Sequence, residues 1–292
     1  MILLQSLCAR QNQAWDSIHT RLISIPAHSQ HYYVSKGQQQ RADSIISFIE
    51  KAVHFFRQEV GFAPQATLYI LAPEDWKGVA AKPLQEVYGF PHNIDSARLA
   101  VAAEDNDFWK SFLPDVKQLP DPLASQVKDA YGRSDGSFSM MPFFDLLALH
   151  EFGHSYTAQA GLKMHRYWMG ELFVNIMLHT FVAEVEPWRL PALTTFPNMV
   201  IAAGTREFRF TSLEDFEKLY PTLGMGPKNY GWYQCRLHAA AKDIYNLAGK
   251  SVLRKLWNAL KKHQAPMSDE AFVEMLGREV DSSVAAVFLN WD

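Results

Sequence analysis

The stretch Pro142-Phe143-Phe144-Asp145-Leu146-Leu147-Ala148-Leu149-His150-Glu151-Phe152-Gly153-His154-Ser155-Tyr156 carries an HExxH motif inside an apolar run. Apolar residues recur at helical spacing around it. Pro142 suits a first helical turn and Gly161 suits a stop, so the run predicts a buried helix. Residues four apart share one helix face, so His150 and His154 can offer imidazole nitrogens to one ion with Glu151 beside it. Three protein ligands leave a fourth position for water, which the metal acidifies and a neighbouring carboxylate deprotonates. The expected chemistry is hydrolysis of a peptide or related amide.

The surrounding chain can support such a site. Its 292 residues, 48% of them apolar, can bury a large core. A net charge of -3 with interspersed signs argues against nucleic acid or a membrane surface as partner. No uninterrupted apolar span reaches membrane length, so a soluble protein is expected. Cys8 and Cys235 are far apart and form neither a disulfide framework nor a CxxC pair, which suits a reduced, cytoplasmic compartment. The start at residues 1–4 is apolar but short and lacks a basic lead-in, so it does not read as a signal peptide.

Strand-like runs fall early and helical periodicity falls late. Strands are expected around Pro26, at 66–71 and at 98–103, and an amphipathic helix at 38–60 ended by Gly61. The proline-bearing segment 112–122, with Pro114, Pro120 and Pro122, reads as irregular, and a helix is expected at 123–131. After the HExxH helix come helices at 168–185, ended by Pro187 and Pro191, then 230–247, 250–262 and 268–277. Thr211 with Glu214 reads as a capping box opening a short helix to Tyr220. The expected class is α+β, with a small, mostly antiparallel sheet packed on the HExxH helix and a mainly helical C-terminal half. A boundary near 160 would divide an N-terminal part, 1–160, from a C-terminal part, 161–292, with the cleft between them.

A third ligand is needed. HExxHxxGxxH would require glycine at 157 and histidine at 160, but the chain has Thr157 and Ala160. The next carboxylate on a well-formed helix is Glu171, and Asn175 lies one turn on, where its carbonyl could accept the outer N–H of a ligating histidine. His165 and His179 read as ordinary hydrogen-bonded histidines.

His150, Glu151 and His154, followed by Glu171 and Asn175, resemble the gluzincins, the thermolysin- and aminopeptidase-like metallopeptidases. The resemblance implies Zn²⁺ held by His150, His154 and Glu171, with Glu151 as general base and Asn175 supporting the first histidine. It also implies a peptide or protein substrate paired to an edge strand, for which 98–103 is the candidate. Members use a tyrosine or histidine to stabilise the oxyanion; in Asn229-Tyr230-Gly231-Trp232-Tyr233-Gln234, Tyr230 is the first choice and Tyr233 the second. No Gly-x-Met-Glu-Asn stretch is present, so exopeptidase specificity has no support. The competing expectations are a non-catalytic zinc site and a zinc hydrolase of a non-peptide amide.

Overall fold

The computed structural model describes Trp15 and residues 18–27, 29–113, 115–222 and 224–291. The apolar start at 1–4, Cys8 and Pro114 lie outside the described residues; Cys235 is a buried free thiol.

The first half builds a five-stranded sheet in the order β1-β2-β3-β5-β4, from β1 (Ile23–Pro26), β2 (His31–Val34), β3 (Thr67–Leu71), β4 (His92–Asp95) and β5 (Arg98–Ala102). Pairing is antiparallel for β1 with β2 and for β4 with β5, and parallel for β2 with β3 and for β3 with β5. The sheet is therefore mixed, correcting the expectation of a mostly antiparallel one. The reason is connectivity: helix α1 (Gln39–Val60) carries the chain from β2 to β3, and a helical crossover returns the next strand parallel. Gly61 ends α1 in the left-handed conformation, at φ 69°, with its N–H on the Arg57 carbonyl.

A second correction concerns the edge. Residues 98–102 form an interior strand, and among the described residues the strand at the sheet edge beside the HExxH helix is β4, where no strand was expected. Short polar His-Asn-Ile-Asp has no period-two apolar signal. It becomes a strand because Asp95 turns straight back into β5, with Asp95 Oδ1 accepting from the Ala97 N–H at 2.9 Å.

Short helices α2 (Pro73–Val79) and α3 (Asp107–Lys110) follow β3 and β5. Then α4 (Asp121–Tyr131) leads to the HExxH helix α5 (Met141–Gln159). Everything after it is helical: α6 (Tyr167–Val185), α7 (Leu190–Ala202), α8 (Leu213–Leu219), α9 (Gly226–Ala248), α10 (Ser251–Lys262), α11 (Asp269–Met275) and α12 (Ser282–Leu289). The class is α+β with a helical C-terminal half, and one apolar cluster runs through residues on both sides of 160. Among the described residues no helix is long and apolar enough to cross a membrane.

Helix α7 stands where Pro187 and Pro191 were expected to end regular structure. Pro191 sits in the first turn, where the missing N–H costs nothing, and Pro197 lies inside the helix. Tyr131 repairs the damage: its buried hydroxyl donates to the Ala192 carbonyl at 2.7 Å and accepts from the Phe196 N–H at 3.1 Å. These are the two groups that a helix ordinarily bonds directly. The expected Thr211 and Glu214 capping box is displaced by one residue: Ser212 caps α8, its Oγ accepting from the Asp215 N–H at 3.1 Å. The helix expected to stop at 277 continues as a π turn over Leu276–Val280, and α12 follows with Asp281 as its cap.

Candidate metal centre

Helix α5 is closed by tight backbone geometry. Gly161 has φ 66°, its N–H reaches the Ala158 carbonyl at 3.2 Å, and the Leu162 N–H reaches the Thr157 carbonyl at 3.0 Å. This crossed pair satisfies the last carbonyls and reverses the chain into α6. Most of α6 is buried, including three polar side chains one turn apart, Glu171, Asn175 and His179. A helix this apolar on every side can sit only inside the molecule, and each buried polar group on it needs partners. Its N-terminus is capped from elsewhere: Glu217 of α8 accepts the Trp168 N–H at 2.9 Å.

The packing of α6 on α5 brings His150, His154 and Glu171 together, with one ligand atom from each lying within 4.8 Å of the others. His150 Nε2 stands 3.2 Å from Glu171 Oε2, and His154 Nε2 stands 3.7 Å from Glu171 Oε1. Glu151 reaches the same place, with Oε1 4.0 Å from His150 Nε2. Glu171 is 1% exposed and His150 4%. His154 and Glu151 are half-buried, so the cluster opens on their side.

The expected support for His150 is present. Asn175 Oδ1 lies 2.8 Å from His150 Nδ1, the arrangement that leaves Nε2 facing Glu171. Tyr230 is half-buried with its hydroxyl 2.8 Å from Gln234 Nε2, and that same Nε2 donates to Glu171 Oε2 at 2.8 Å. Tyr233 is turned away. Its hydroxyl donates to the Ser212 carbonyl at 2.8 Å and its ring packs on Phe216, Trp232 and Trp291, so the second tyrosine candidate is a core residue.

Two site residues were missed in the sequence. Tyr220, just after α8, donates its hydroxyl to Glu171 Oε1, and Gln234 bridges Glu171 and Tyr230. Gln234 was findable in principle, since Tyr230, Gln234 and His238 repeat at one-turn spacing on α9 as Glu171, Asn175 and His179 do on α6. Tyr220 gave no local signal. From the strand side, Asn93 of β4 donates to the Glu151 backbone carbonyl at 2.9 Å, fixing the sheet edge against the motif.

The electrostatics are those of a coupled acid–base cluster. Burial disfavours the charged His150, but the Glu171 hydrogen bond and the Glu151 and Glu171 charges outweigh it and push it up to about 9. Burial would raise Glu171, yet both histidines and the Tyr220 hydroxyl hold it well below the usual carboxylate range. Burial raises Glu151 to about 7, with His150 opposing. His154 is lowered, chiefly by burial. His238, whose ring lies 5.9 Å from that of His150, is lowered for the same reason.

No family model matches the chain, and no curated protein or solved structure matches it.

The donor set fits a metal ion. Two imidazoles and a carboxylate converge where burial makes an uncompensated polar cluster costly, and hydrogen bonds to Asn175 and Gln234 orient two of them. His150, His154 and Glu171 could hold such an ion.

His165 and His179 lie outside the triad. His165 Nε2 lies 2.9 Å from the His263 carbonyl, and His179 is buried beside Tyr245.

Proposed function

We propose that this protein is a gluzincin-type zinc metallopeptidase with a zincin-like arrangement of edge strand, HExxH helix and second ligand helix. The observation that carries the reading is the convergence of His150 Nε2, His154 Nε2 and the Glu171 carboxylate, with the Glu151 carboxylate on the same open side. Two neutral imidazoles and one carboxylate are the donors of catalytic zinc sites, and structural sites favour cysteine and four protein ligands. Cys235 is a buried free thiol outside the group of converging donors, and Glu151 has no role in a purely structural site.

When bound, zinc supplies a Lewis acid that polarises a carbonyl and lowers the pKa of water. Glu151 takes the proton of the attacking water and delivers it to the leaving amine. Its carboxylate, half-buried on the open side of the cluster beside His150, is placed to take and return that proton. Tyr230 donates to the developing oxyanion. The edge strand β4, held to Glu151 through Asn93, pairs with an extended peptide by backbone hydrogen bonds.

The test combines metal content with turnover. Elemental analysis should find near one zinc per chain in the wild type and a sharp fall in Glu171→Ala. Glu151→Gln should retain zinc and lose cleavage of a peptide library. Equal cleavage by Glu151→Gln and wild type would overturn the mechanism, and equal zinc in Glu171→Ala would overturn the site.

A further inference from the structure

Gln234 makes one connection more than a packing residue needs. Its Nε2 lies 2.8 Å from Glu171 Oε2 and 2.8 Å from the Tyr230 hydroxyl, so each amide hydrogen has its own acceptor. Its Oε1 faces Asn175 Nδ2 at 3.5 Å, and Asn175 Oδ1 lies 2.8 Å from His150 Nδ1. The circuit closes where His150 Nε2 meets Glu171 Oε2 at 3.2 Å.

Such a circuit has a direction. Both oxygens of the Glu171 carboxylate accept, Oε1 from the Tyr220 hydroxyl and Oε2 from Gln234 Nε2, so the Gln234 amide turns its nitrogen toward Glu171 and its oxygen toward Asn175. Asn175 then has to present its nitrogen to Gln234, which leaves its oxygen for His150. An Asn175 amide turned the other way would set its oxygen against the Gln234 oxygen, two acceptors with no hydrogen between them. With the Asn175 oxygen turned to it, His150 carries a proton on Nδ1, and its Nε2, which meets Glu171 in the metal-free site, is the nitrogen that would give up its proton to take an ion. At Tyr230 the hydroxyl oxygen accepts from Gln234, so its own hydrogen remains free to donate elsewhere.

We propose that Gln234 is the positioning residue of the metal centre: it anchors the Glu171 carboxylate and, through Asn175, sets the tautomer of His150. It also turns the Tyr230 hydroxyl into a free donor. This rests on the metal-site reading above and deepens it. Glu171 and His150 sit on different helices, and Gln234 on a third, α9, ties them into one unit. Loss of an outer-shell partner of this kind costs metal affinity about 10- to 100-fold.

The experiment measures zinc affinity by competition with a chromogenic chelator in wild type, Gln234→Met, Asn175→Ala and the double variant. Circular dichroism and melting of the metal-free proteins serve as the fold control. Methionine keeps the length of glutamine and removes every hydrogen bond. Gln234→Met should fold as the wild type does and bind zinc about 10- to 100-fold more weakly. The cobalt-substituted protein should show a shifted visible spectrum, and the double variant should lose less than the two single losses combined. A folded Gln234→Met with wild-type affinity and spectrum, or strictly additive losses, overturns the proposal. No binding by the wild type overturns the metal reading itself, a distinct result. If Gln234→Met does not fold, Asn175→Ala decides, because the proposal routes the hold on His150 through that amide. Zinc affinity and cobalt spectrum equal to those of the wild type in Asn175→Ala overturn the proposal.

Discussion

Gly153 lies against Val174 so closely that a Cβ at position 153 would stand 2.9 Å from both Cβ and Cγ1 of Val174. Residue 153 is a variable position of HExxH, yet here the absence of a side chain is what lets α6 approach α5. Glu171 is one turn before Val174, so the approach that needs Gly153 also delivers the carboxylate to His150 and His154. Helix propensity alone favours alanine at 153 by about 1 kcal/mol. Sterics should win, because Val174 is fully buried and β-branched and cannot swing away. Gly153→Ala is expected to cost about 1–2 kcal/mol in urea unfolding and to weaken zinc binding, with Val174→Ala restoring part of both. Wild-type stability and affinity in Gly153→Ala would show that the helices are not set by this contact.

Tyr131 and Pro197 form a second dependency. Tyr131→Phe removes the hydroxyl that bridges the Ala192 carbonyl and the Phe196 N–H, and leaves both groups in a buried site. The expected loss is about 1–3 kcal/mol by denaturant titration. In a Pro197→Ala background helix α7 can straighten and pair these groups itself, so the same substitution should cost less there. An equal cost in both backgrounds would separate the tyrosine from the proline.

Stability should depend on pH through His179. Burial, with Lys242 nearby, lowers this imidazole to about 4 from its ordinary 6.5. Between those values the unfolded chain binds a proton that the folded chain does not, so stability falls as pH drops from 6.5 towards 4 and levels off below. A shift of this size is worth roughly 3 kcal/mol at the acid end. Comparing urea midpoints at pH 7 and pH 4.5 in chelator-treated protein, His179→Leu should reduce the difference, leaving the part that His154 and His238 contribute. An unchanged pH slope would assign the acid sensitivity to other groups.

Metal removal should lower the melting temperature. An ion that binds only the folded chain adds about 2.7 kcal/mol at a hundredfold excess over its dissociation constant. A strong chelator should therefore destabilise the wild type and leave His154→Ala unaffected, because that variant lacks one of the three converging donors. A hydroxamate should raise the melting temperature of the zinc-loaded wild type if a coordination position is open. Chelator-independent melting of the wild type would remove the metal from the account.

Much of this protein was legible from local sequence. The apolar period around His150, the Gly61 and Gly161 stops, and the one-turn spacing of Glu171 from Asn175 are short-range features. A helix converts such spacings directly into a shared face, and the structure has the helices α1, α5, α6, α9 and α10 close to where periodicity put them. The same local rules missed α7, because they take Pro187 and Pro191 as stops and cannot know that a tyrosine from α4 stands ready to bond the groups freed inside the helix. They found the strand at 98–103 but passed over His92–Asp95, and the family resemblance then made an edge of 98–103, since strand order depends on crossovers and partners that no window of sequence contains.

The sequence by itself determined the candidate donors His150, His154 and Glu171 and the helices that carry them. It could not determine what surrounds Glu171. Tyr220 and Gln234 come from 49 and 63 residues further along the chain, and Tyr233 was separable from Tyr230 only by seeing which hydroxyl meets the Ser212 carbonyl. That choice follows from how α8 and α9 settle on α6. The settling is a balance of many weak apolar contacts spread over the whole core, so tertiary structure alone decided it.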